Sequence, residues 1–309
     1  MSYFTMKTRK RRRWIILFAA FETIIVPSLL FCAWVYKTKS RHTVATAPRN
    51  LNTKLLAAVK ANGTEAAKTL LAQGADPNIR DVPQQKEVGS HTIDRKDSHK
   101  RTLLEMAIGL NSEVFVESER APDIENVPLV KALLDAGART EDSSDRHRTP
   151  LMKAVNMDEL RTVQLLLDHG ANPLARDDQG KLPIHFMRCE TDTELKIADL
   201  LLKRGTDINA ADDQGWTPLT GCFTEGESNI PMTQFLIAHG ANVNTQTIEG
   251  DSVLMAAASM GDRNAMKLLV EHGADVDCHN KKGDTALSLA KNANATECIR
   301  LLKAAGAKR

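Results

Sequence analysis

The sequence predicts an all-α solenoid of short helix–turn–helix units, preceded by one transmembrane helix. Glycines that end apolar helices recur at intervals of 33 or 35 residues from Gly137 to Gly306. A similar polar turn and helix start follow all but the last of them, and self-similarity at a fixed period indicates stacked repeats. Near the N-terminus, residues 14–36 form a largely apolar run without Lys or Arg, and its length suits a membrane span.

The clearest junction between two units is residues 200–219, which read LLLKRGTDINAADDQGWTPL. The apolar helix end meets Gly205, which suits the left-handed position that follows a helix. Gly215 suits a tight turn that needs a positive φ. Thr217 is expected to cap the next helix, and Pro218 fits the first turn of that helix, where no backbone donor is needed.

This junction recurs along the chain. The glycines are Gly74, Gly137, Gly170, Gly205, Gly240, Gly273 and Gly306, and the helix starts are TPLMKA at Thr149, LPIHFM at Leu182, TPLTGC at Thr217, SVLMAA at Ser252 and TALSLA at Thr285. The pattern resembles the ankyrin repeat, in which a T-P-L-H-x-A box recurs every 33 residues. The resemblance implies an all-α ankyrin-repeat solenoid over residues 51–309, with β-turn hairpins and about six or seven units.

The box departs from the family pattern at its histidine. That histidine is present as His185, and other residues replace it in the remaining boxes: Met152, Thr220, Met255 and Ser288. We therefore expect some boxes to lack the side-chain hydrogen bonds that the histidine makes in the family. Three further histidines, His169, His239 and His272, directly precede a capping glycine, where a cation favours the helix C-terminus.

The chain begins with a basic head. Residues 1–49 hold ten of the 41 Lys and Arg residues and one of the 39 acidic residues, so the head carries +9 and the remainder −7. Residues 1–13 form a basic tail, 14–36 the predicted span and 37–50 a linker. A 23-residue helix is about 34 Å long, enough for a ~30 Å hydrocarbon layer. Glu22 within it costs a few kcal/mol, which the apolar side chains outweigh.

The basic residues beside the span predict its orientation. Six Lys or Arg residues precede it and three follow closely, so the N-terminus is expected in the cytoplasm and the repeats on the extracytoplasmic side, the periplasm in a Gram-negative bacterium. This topological role is preferred over nucleic-acid binding for the basic run. The alternative is a cleaved signal peptide, for which residues 45–47 offer an A-x-A triplet.

The second unit is stretched by two inserts, residues 82–101 and 110–127. Long loops in a compact array are functional or disordered, and the sequence leaves both readings open. The first insert carries His91 and His99, but no third ligand at usable spacing accompanies them. We also find no metal-protease, phosphate-loop or nucleophile-elbow motif. The sequence therefore predicts a protein without a metal or cofactor, and not an enzyme.

Five cysteines occur without any C-x-x-C pair: Cys32, Cys189, Cys222, Cys278 and Cys298. Cys222 takes the alanine place of its box, where a small apolar thiol packs well. Buried free thiols are one interpretation of these residues. An extracytoplasmic location would permit disulfides instead, and Cys189 with Cys222, from neighbouring units, is the pair to test.

A repeated acidic turn is the most prominent surface feature. In the ankyrin family successive turn tips lie side by side along a concave binding face, so the resemblance implies that four carboxylates are adjacent: Asp177, Asp178, Asp212 and Asp213. Trp216 follows directly and is an aromatic anchor of the kind that dominates interfaces. The competing interpretation is that Asp simply favours turns.

The predicted function is a membrane-anchored protein–protein interaction module on the extracytoplasmic side, with a partner that is basic at the acidic turns. The alternative is a secreted or periplasmic inhibitor, or an immunity-type protein, that sequesters an enzyme or toxin after signal cleavage. A purely structural tether and an enzyme are the other classes that we considered. An enzyme would require a convergent polar pocket, which elongated arrays seldom offer.

The predicted topology can be tested with a reporter fused after Arg309. We expect alkaline phosphatase at that position to be active and a green fluorescent reporter to be dark, because the excess of basic residues precedes the span. Neutralising residues 9–13 is expected to scramble the orientation. A fluorescent cytoplasmic fusion of the unaltered chain would contradict the prediction.

Overall fold

The computed structural model describes residues 49–81, 101–109, 126–143, 146–189, 191–223 and 228–308 of the 309-residue chain. Contacts divide the chain into two units, Met1–Asn50 and Leu51–Arg309, and the repeats belong to the second. The basic tail, the predicted span and nearly all of the linker lie outside the described residues, as do most of both inserts. Within the described ranges, no helix combines the length and apolar character that a membrane crossing needs.

The described part of the second unit is built from seven consecutive helix pairs. They are α1 (Arg49–Lys60) and α2 (Thr64–Ala72), α3 (Leu103–Ala107) and α4 (Val127–Asp135), α5 (Pro150–Asn156) and α6 (Leu160–Asp168), a 3₁₀ helix (Pro183–Phe186) and α7 (Asp192–Lys203), α8 (Pro218–Gly221) and α9 (Ile230–Ala238), α10 (Val253–Met260) and α11 (Arg263–Glu271), and α12 (Ala286–Asn292) and α13 (Thr296–Ala304). The first helix begins at Arg49, inside the predicted linker.

No strand occurs among the residues that the structure describes, so the all-α prediction is confirmed there. Isolated antiparallel bridges lie at the bases of three hairpins, joining Arg80 to Thr102, Gln246 to Ser252 and His279 to Thr285. Helices pack against the other helix of their pair and against the equivalent helices of the neighbouring unit. The result is a row of similar units rather than a globule with one central core.

The core runs between neighbouring units. The first helix of the inner pairs is buried on most sides; in α10, Val253, Leu254 and Ala257 are at most 1% exposed. The terminal helix α1 buries one face, through Leu55, Ala58 and Val59. The second helix buries one face, as α11 does with Met266 and Leu269. Because both sides of an inner first helix are covered by adjacent units, its apolar residues need neighbours to leave water.

The junction at residues 200–219 has the predicted local structure. Gly205 has φ +91° and Gly215 has φ +78°, both in the left-handed region that glycine tolerates without a Cβ penalty. The Thr217 side chain accepts a hydrogen bond from the Thr220 amide at 3.4 Å, and Pro218 occupies the first turn of α8. The sequence prediction for this junction is confirmed.

The prediction about the box histidine is right only in part. Where hydroxyl residues replace it, they make a similar bond: the Thr217 amide donates to Thr220 Oγ1 at 2.7 Å, and the Thr285 amide donates to Ser288 Oγ at 2.9 Å. At Met152 the acceptor is a thioether sulfur, 3.4 Å from the Thr149 amide, which is a weak acceptor. Hydroxyl groups therefore preserve the bond to the amide at the helix start, whereas the Met152 box has only a weak one.

Asparagines in the turns connect neighbouring units. Asn209 Nδ2 donates to the Gly240 carbonyl at 3.1 Å, and its Oδ1 accepts from the Asn242 amide at 2.7 Å. Asn244 repeats both bonds with Gly273 and Asp275. Each asparagine thus satisfies backbone groups left open after the next helix and fixes the spacing between units.

The histidines before the capping glycines contact the ends of their own helices. The Nδ1 atoms of His169, His239 and His272 lie 2.8 to 2.9 Å from the carbonyl oxygen four residues earlier. Their rings thus contact the open carbonyls at the helix ends, as predicted.

The register of this unit can be tested by substituting Leu219, which is 1% exposed. We expect Leu219→Ala to lower the free energy of unfolding by about 2–5 kcal/mol, because it removes apolar burial and leaves a cavity. Leu174→Ala is the matched control, since Leu174 is 50% exposed, and it is expected to change stability by less than about 0.5 kcal/mol. Chemical denaturation measures both.

Gly205→Val tests the backbone rather than the core. A β-branched residue resists the left-handed conformation, so we expect a loss of about 1–3 kcal/mol although no atom lies within 4 Å of the added Cβ. If both this variant and Leu219→Ala unfolded at the wild-type denaturant midpoint, the register assigned to this unit would be wrong.

Candidate functional site

The tips of successive hairpins lie side by side. Backbone amides of one tip donate to carbonyls of the preceding tip at 2.9 to 3.0 Å: Asp178 to Arg146, Asp213 to Gln179, Ile248 to Gln214 and Lys281 to Glu249. This ladder brings the two acidic turns, residues 177–180 and 212–215, into direct contact. The adjacency implied by the family resemblance is therefore present in the structure.

Close approach explains the glycine in each tip. A Cβ added at Gly180 would meet Asp213 Oδ1 at 2.2 Å, and one added at Gly215 would lie 3.0 Å from the Ile248 amide nitrogen. Both glycines also have positive φ. A side chain here would separate neighbouring tips as well as strain the turn.

The four aspartates of the two tips divide into two kinds. Asp177 and Asp212 are buried, each 7% exposed. Asp212 Oδ1 accepts from the amides of Gln214 and Trp216 at 2.9 Å, and Asp177 does the same for residues 179 and 181. These carboxylates hold their own turns in shape, and only the second aspartate of each pair, Asp178 and Asp213, is exposed.

Trp216 is exposed on a fixed backbone. Its side chain is 37% exposed, one of three large exposed apolar residues in the described ranges, with Leu174 and Ile248. Its amide donates to Asp212 Oδ1, and its carbonyl oxygen accepts from the Asp212 amide at 2.9 Å. The ring is thus presented to solvent without the entropy loss of ordering a mobile loop.

A groove of about 360 Å³ lies beside Trp216 and is lined by residues of three neighbouring units, those of α5, the 3₁₀ helix and α8. We call it the Trp216 groove. It is lined by three cationic side chains, two aromatic rings and an apolar floor: Arg148, Lys181, Arg188, Phe186, Trp216, Ile184, Met187 and Cys189 among others. Arg148 stacks over Phe186, with 5.2 Å from the guanidinium carbon to the ring centre. The lining carries three cations and the buried carboxylate of Asp212, whereas the exposed side chains Asp178 and Asp213 of the two tips are acidic.

Sequence reasoning missed this groove. Its residues come from three neighbouring units. Phe186 ends, and Arg188 follows, a box that forms a four-residue 3₁₀ helix instead of an α-helix. One signal was available: Arg148, Lys181 and Trp216 each occupy the position directly before a box. Equivalent positions of neighbouring repeats are expected to face the same way.

His185 links the groove to the next unit. Its Nδ1 accepts from the Leu182 amide at 3.0 Å, so the proton lies on Nε2, which is 2.9 Å from the Ala210 carbonyl and 3.2 Å from that of Trp216. Burial lowers the pKa of His185 below its ordinary value of 6.5, with the carbonyl bonds acting in the opposite direction. The neutral ring therefore supports the backbone that presents Trp216.

The two cysteines singled out by the sequence lie next to each other beneath the groove. Cys189 and Cys222 are free thiols, both buried, with 2.7 Å between their sulfurs. The neighbouring Cys189 and burial raise the pKa of the Cys222 thiol well above its usual value, which keeps it protonated and poorly nucleophilic. A disulfide between them remains a prediction.

Metal binding was also considered. No cluster of three or more His, Cys, Asp and Glu side chains in the described part of the chain could hold a metal ion. His91 and His99 lie outside that part.

Comparison with known proteins identifies the repeats. A family model for three copies of the ankyrin repeat matches residues 121–212, 186–280 and 222–308, and a single ankyrin-repeat model matches residues 53–82. A mitochondrial disaggregase of Bos taurus is 29% identical over 156 residues, which is 48% of this chain and 23% of that protein. The Homo sapiens mitochondrial disaggregase is 31% identical over 148 residues, 43% of this chain and 19% of that protein. The chain thus spans about a fifth of the length of these relatives.

The lowered pKa of His185 predicts that the stability of the fold depends on pH. Because the pKa of His185 is lowered on folding, the unfolded chain binds a proton more readily, and stability is lost as the pH falls below about 6.5. This single group contributes a slope of at most about 1.4 kcal/mol per pH unit. We expect His185→Thr, which copies the residue at the equivalent position 220, to remove that contribution.

The measurement is the free energy of unfolding of both proteins at about pH 7.5 and about pH 5, on either side of the ordinary histidine pKa. The other histidines are present in both proteins, so the difference between the two pH profiles reports His185. Identical profiles would show that protonation of His185 is not coupled to folding.

Proposed function

Because the chain belongs to the ankyrin repeat family, we propose that it binds a protein partner through the face formed by the hairpin tips and the Trp216 groove. The observation that carries this proposal is an exposed indole on a backbone fixed by Asp212 and His185. Aromatic side chains beside a pocket are the residues that dominate binding energy at interfaces. A rigid array presents such a residue with little ordering cost.

The two exposed tip carboxylates, Asp178 and Asp213, have a different role in this proposal. They lie on neighbouring tips and are available to basic groups of the partner. Charges of this kind mainly raise the association rate and set selectivity, and salt screens them within ~8 Å at physiological ionic strength. Asp177 and Asp212 support the face indirectly, since their carboxylates are buried in the turns.

We further propose that the chain is anchored in a membrane by residues 14–36, with the repeats on the extracytoplasmic side. The proposal is supported by the 23-residue apolar run and by the excess of basic residues before it. The A-x-A triplet at residues 45–47 supports a second candidate, a secreted or periplasmic inhibitor that holds an enzyme or toxin after signal cleavage. Both candidates use the same binding face.

The proposed role is binding without catalysis. Elongated arrays of this kind present an exposed face, and the Trp216 groove is lined by basic and aromatic side chains that suit recognition. The disaggregases match the chain over only about a fifth of their own length. We therefore propose no disaggregase activity for this chain.

Trp216→Ala tests the face directly. We expect it to raise the dissociation rate of a partner that co-purifies with the full chain by about 30-fold or more, the effect of losing about 2 kcal/mol or more at an interface centre. Leu174→Ala is the matched control, because it also removes an exposed apolar side chain. Surface plasmon resonance at low and high salt measures both rates.

The tip charges are tested in the same assay with Asp178→Lys combined with Asp213→Lys. We expect slower association at low salt, a smaller effect at high salt, and unchanged folding, because exposed charges contribute little to stability. If neither this variant nor Trp216→Ala altered binding while both remained folded, the hairpin tips and groove would not be the binding face.

A further inference from the structure

Four consecutive hairpins end in structurally equivalent residues. In each of them one backbone amide donates to the carbonyl four residues later at 2.9 to 3.1 Å: Asp177 to Lys181, Asp212 to Trp216, Thr247 to Asp251 and Asn280 to Asp284. The acceptors are therefore the same position of four stacked units. Arg148 belongs to the same set, because it directly precedes the helix-capping Thr149.

These five residues form a row that we call the hairpin strip: Arg148, Lys181, Trp216, Asp251 and Asp284. Its charge changes along the stack, from two cations through an aromatic residue to two carboxylates. Arg148 and Asp251 are exposed, and Lys181 and Asp284 are partly exposed. Asp251 accepts from the Asn280 side-chain amide at 2.7 Å, a neutral donor that leaves the carboxylate charge uncompensated.

The dimensions of the strip fit an extended polypeptide. Packed helices are about 8–10 Å apart, and an extended chain rises about 3.3 Å per residue, so each unit corresponds to about three residues of ligand. A helix with its side chains is about 10–12 Å across. The Trp216 groove, at about 360 Å³, takes side chains from an extended segment rather than a whole helix.

We propose that the hairpin strip binds an extended, charge-polarised segment of the protein partner. Acidic residues of the segment lie at the Lys181 end, an apolar or aromatic side chain enters the groove beside Trp216, and basic residues lie at the Asp251 end. This inference rests on the proposed function and specifies the chemistry of its partner. The opposite charges at the two ends also fix which way the segment runs.

Charge complementarity favours this occupant over a nucleic acid. Cations and aromatic rings together can also bind a phosphate backbone, and the Lys181 end alone would suit one. A polyphosphate continuing along the strip, however, would meet Asp251 and Asp284. Like charges that face each other across an interface repel and oppose binding, so a segment that changes sign along its length suits the whole strip better.

The test uses a phage-displayed library of random peptides selected on the immobilised full chain. We expect selected peptides to carry acidic residues on one side of an apolar or aromatic residue and basic residues on the other. The double variant Lys181→Glu with Asp251→Lys reverses the two charges that flank Trp216, and we expect it to select the opposite charge order on either side of the apolar residue. Lys181 is chosen over Arg148, whose removal would leave buried Asp177 without its cationic neighbour.

Selected peptides are then measured by fluorescence anisotropy against single variants. We expect Lys181→Glu and Asp251→Lys each to weaken binding about three- to tenfold, with little effect on peptides whose charged residues are replaced by Gln. Lys203→Glu is the matched charge control, on an exposed side chain outside the strip. Asp251→Asn removes the charge but keeps an acceptor for Asn280, so it separates charge from turn structure.

The outcomes distinguish this inference from the proposed function. If binding depends on Trp216 but selected peptides show no charge order, or a single sign throughout, the charge-polarised segment is wrong and the binding face stands. If no peptide is selected, or if peptide binding is unaffected by Trp216→Ala, the inference of an extended segment is wrong. The binding face itself fails only if binding of the co-purified partner is also unaffected by Trp216→Ala and by the Asp178 and Asp213 variant. Comparable binding of a single-stranded oligonucleotide that Lys181→Glu abolishes would overturn the peptide assignment.

Discussion

Burial of the first helix of each inner unit between its neighbours is the constraint on which the rest of the repeat array depends. In α10 the apolar residues Val253, Leu254 and Ala257 are removed from water, and α10 packs against both α11 and α12. A unit alone could not cover this surface, so stability resides in the contacts between units. The stacking distance is thereby fixed, and extra residues are accommodated in the turns.

Because the stacking distance is fixed, residues at the same position of successive repeats lie in a row along the array. The backbone bonds between hairpin tips and the asparagine bonds of Asn209 and Asn244 repeat from unit to unit. Side chains that do not take part in these bonds can therefore change without altering the scaffold. Lys181, Trp216 and Asp251 occupy one backbone environment with three different chemistries, which is how a repetitive fold acquires a specific surface.

The local features of the fold could be predicted from the sequence because short-range rules govern them. The positive φ of Gly205 and the cap by Thr217 follow from steric and hydrogen-bonding preferences of single residue types. The candidate site was harder to predict from the sequence. Asp177 and Asp178 are chemically identical neighbours, and only the hydrogen bonds of the turn decide that the first is buried and the second exposed. The Trp216 groove is lined by residues of three neighbouring units, so no single repeat indicates it.

The buried aspartate contributes to the surface through its neighbour. Asp177 has one oxygen engaged with turn amides, and its Oδ2 makes no hydrogen bond and lies 3.9 Å from Arg148 Nε. A carboxylate oxygen removed from water is costly unless a cation or donor is near, so this oxygen favours a position of Arg148 close to the turn. The guanidinium group also lies over the Phe186 ring, 5.2 Å from the ring centre. The buried carboxylate of Asp177 thus favours the position of Arg148 in the Trp216 groove. The acidic turn and the cationic lining of the groove are therefore structurally connected.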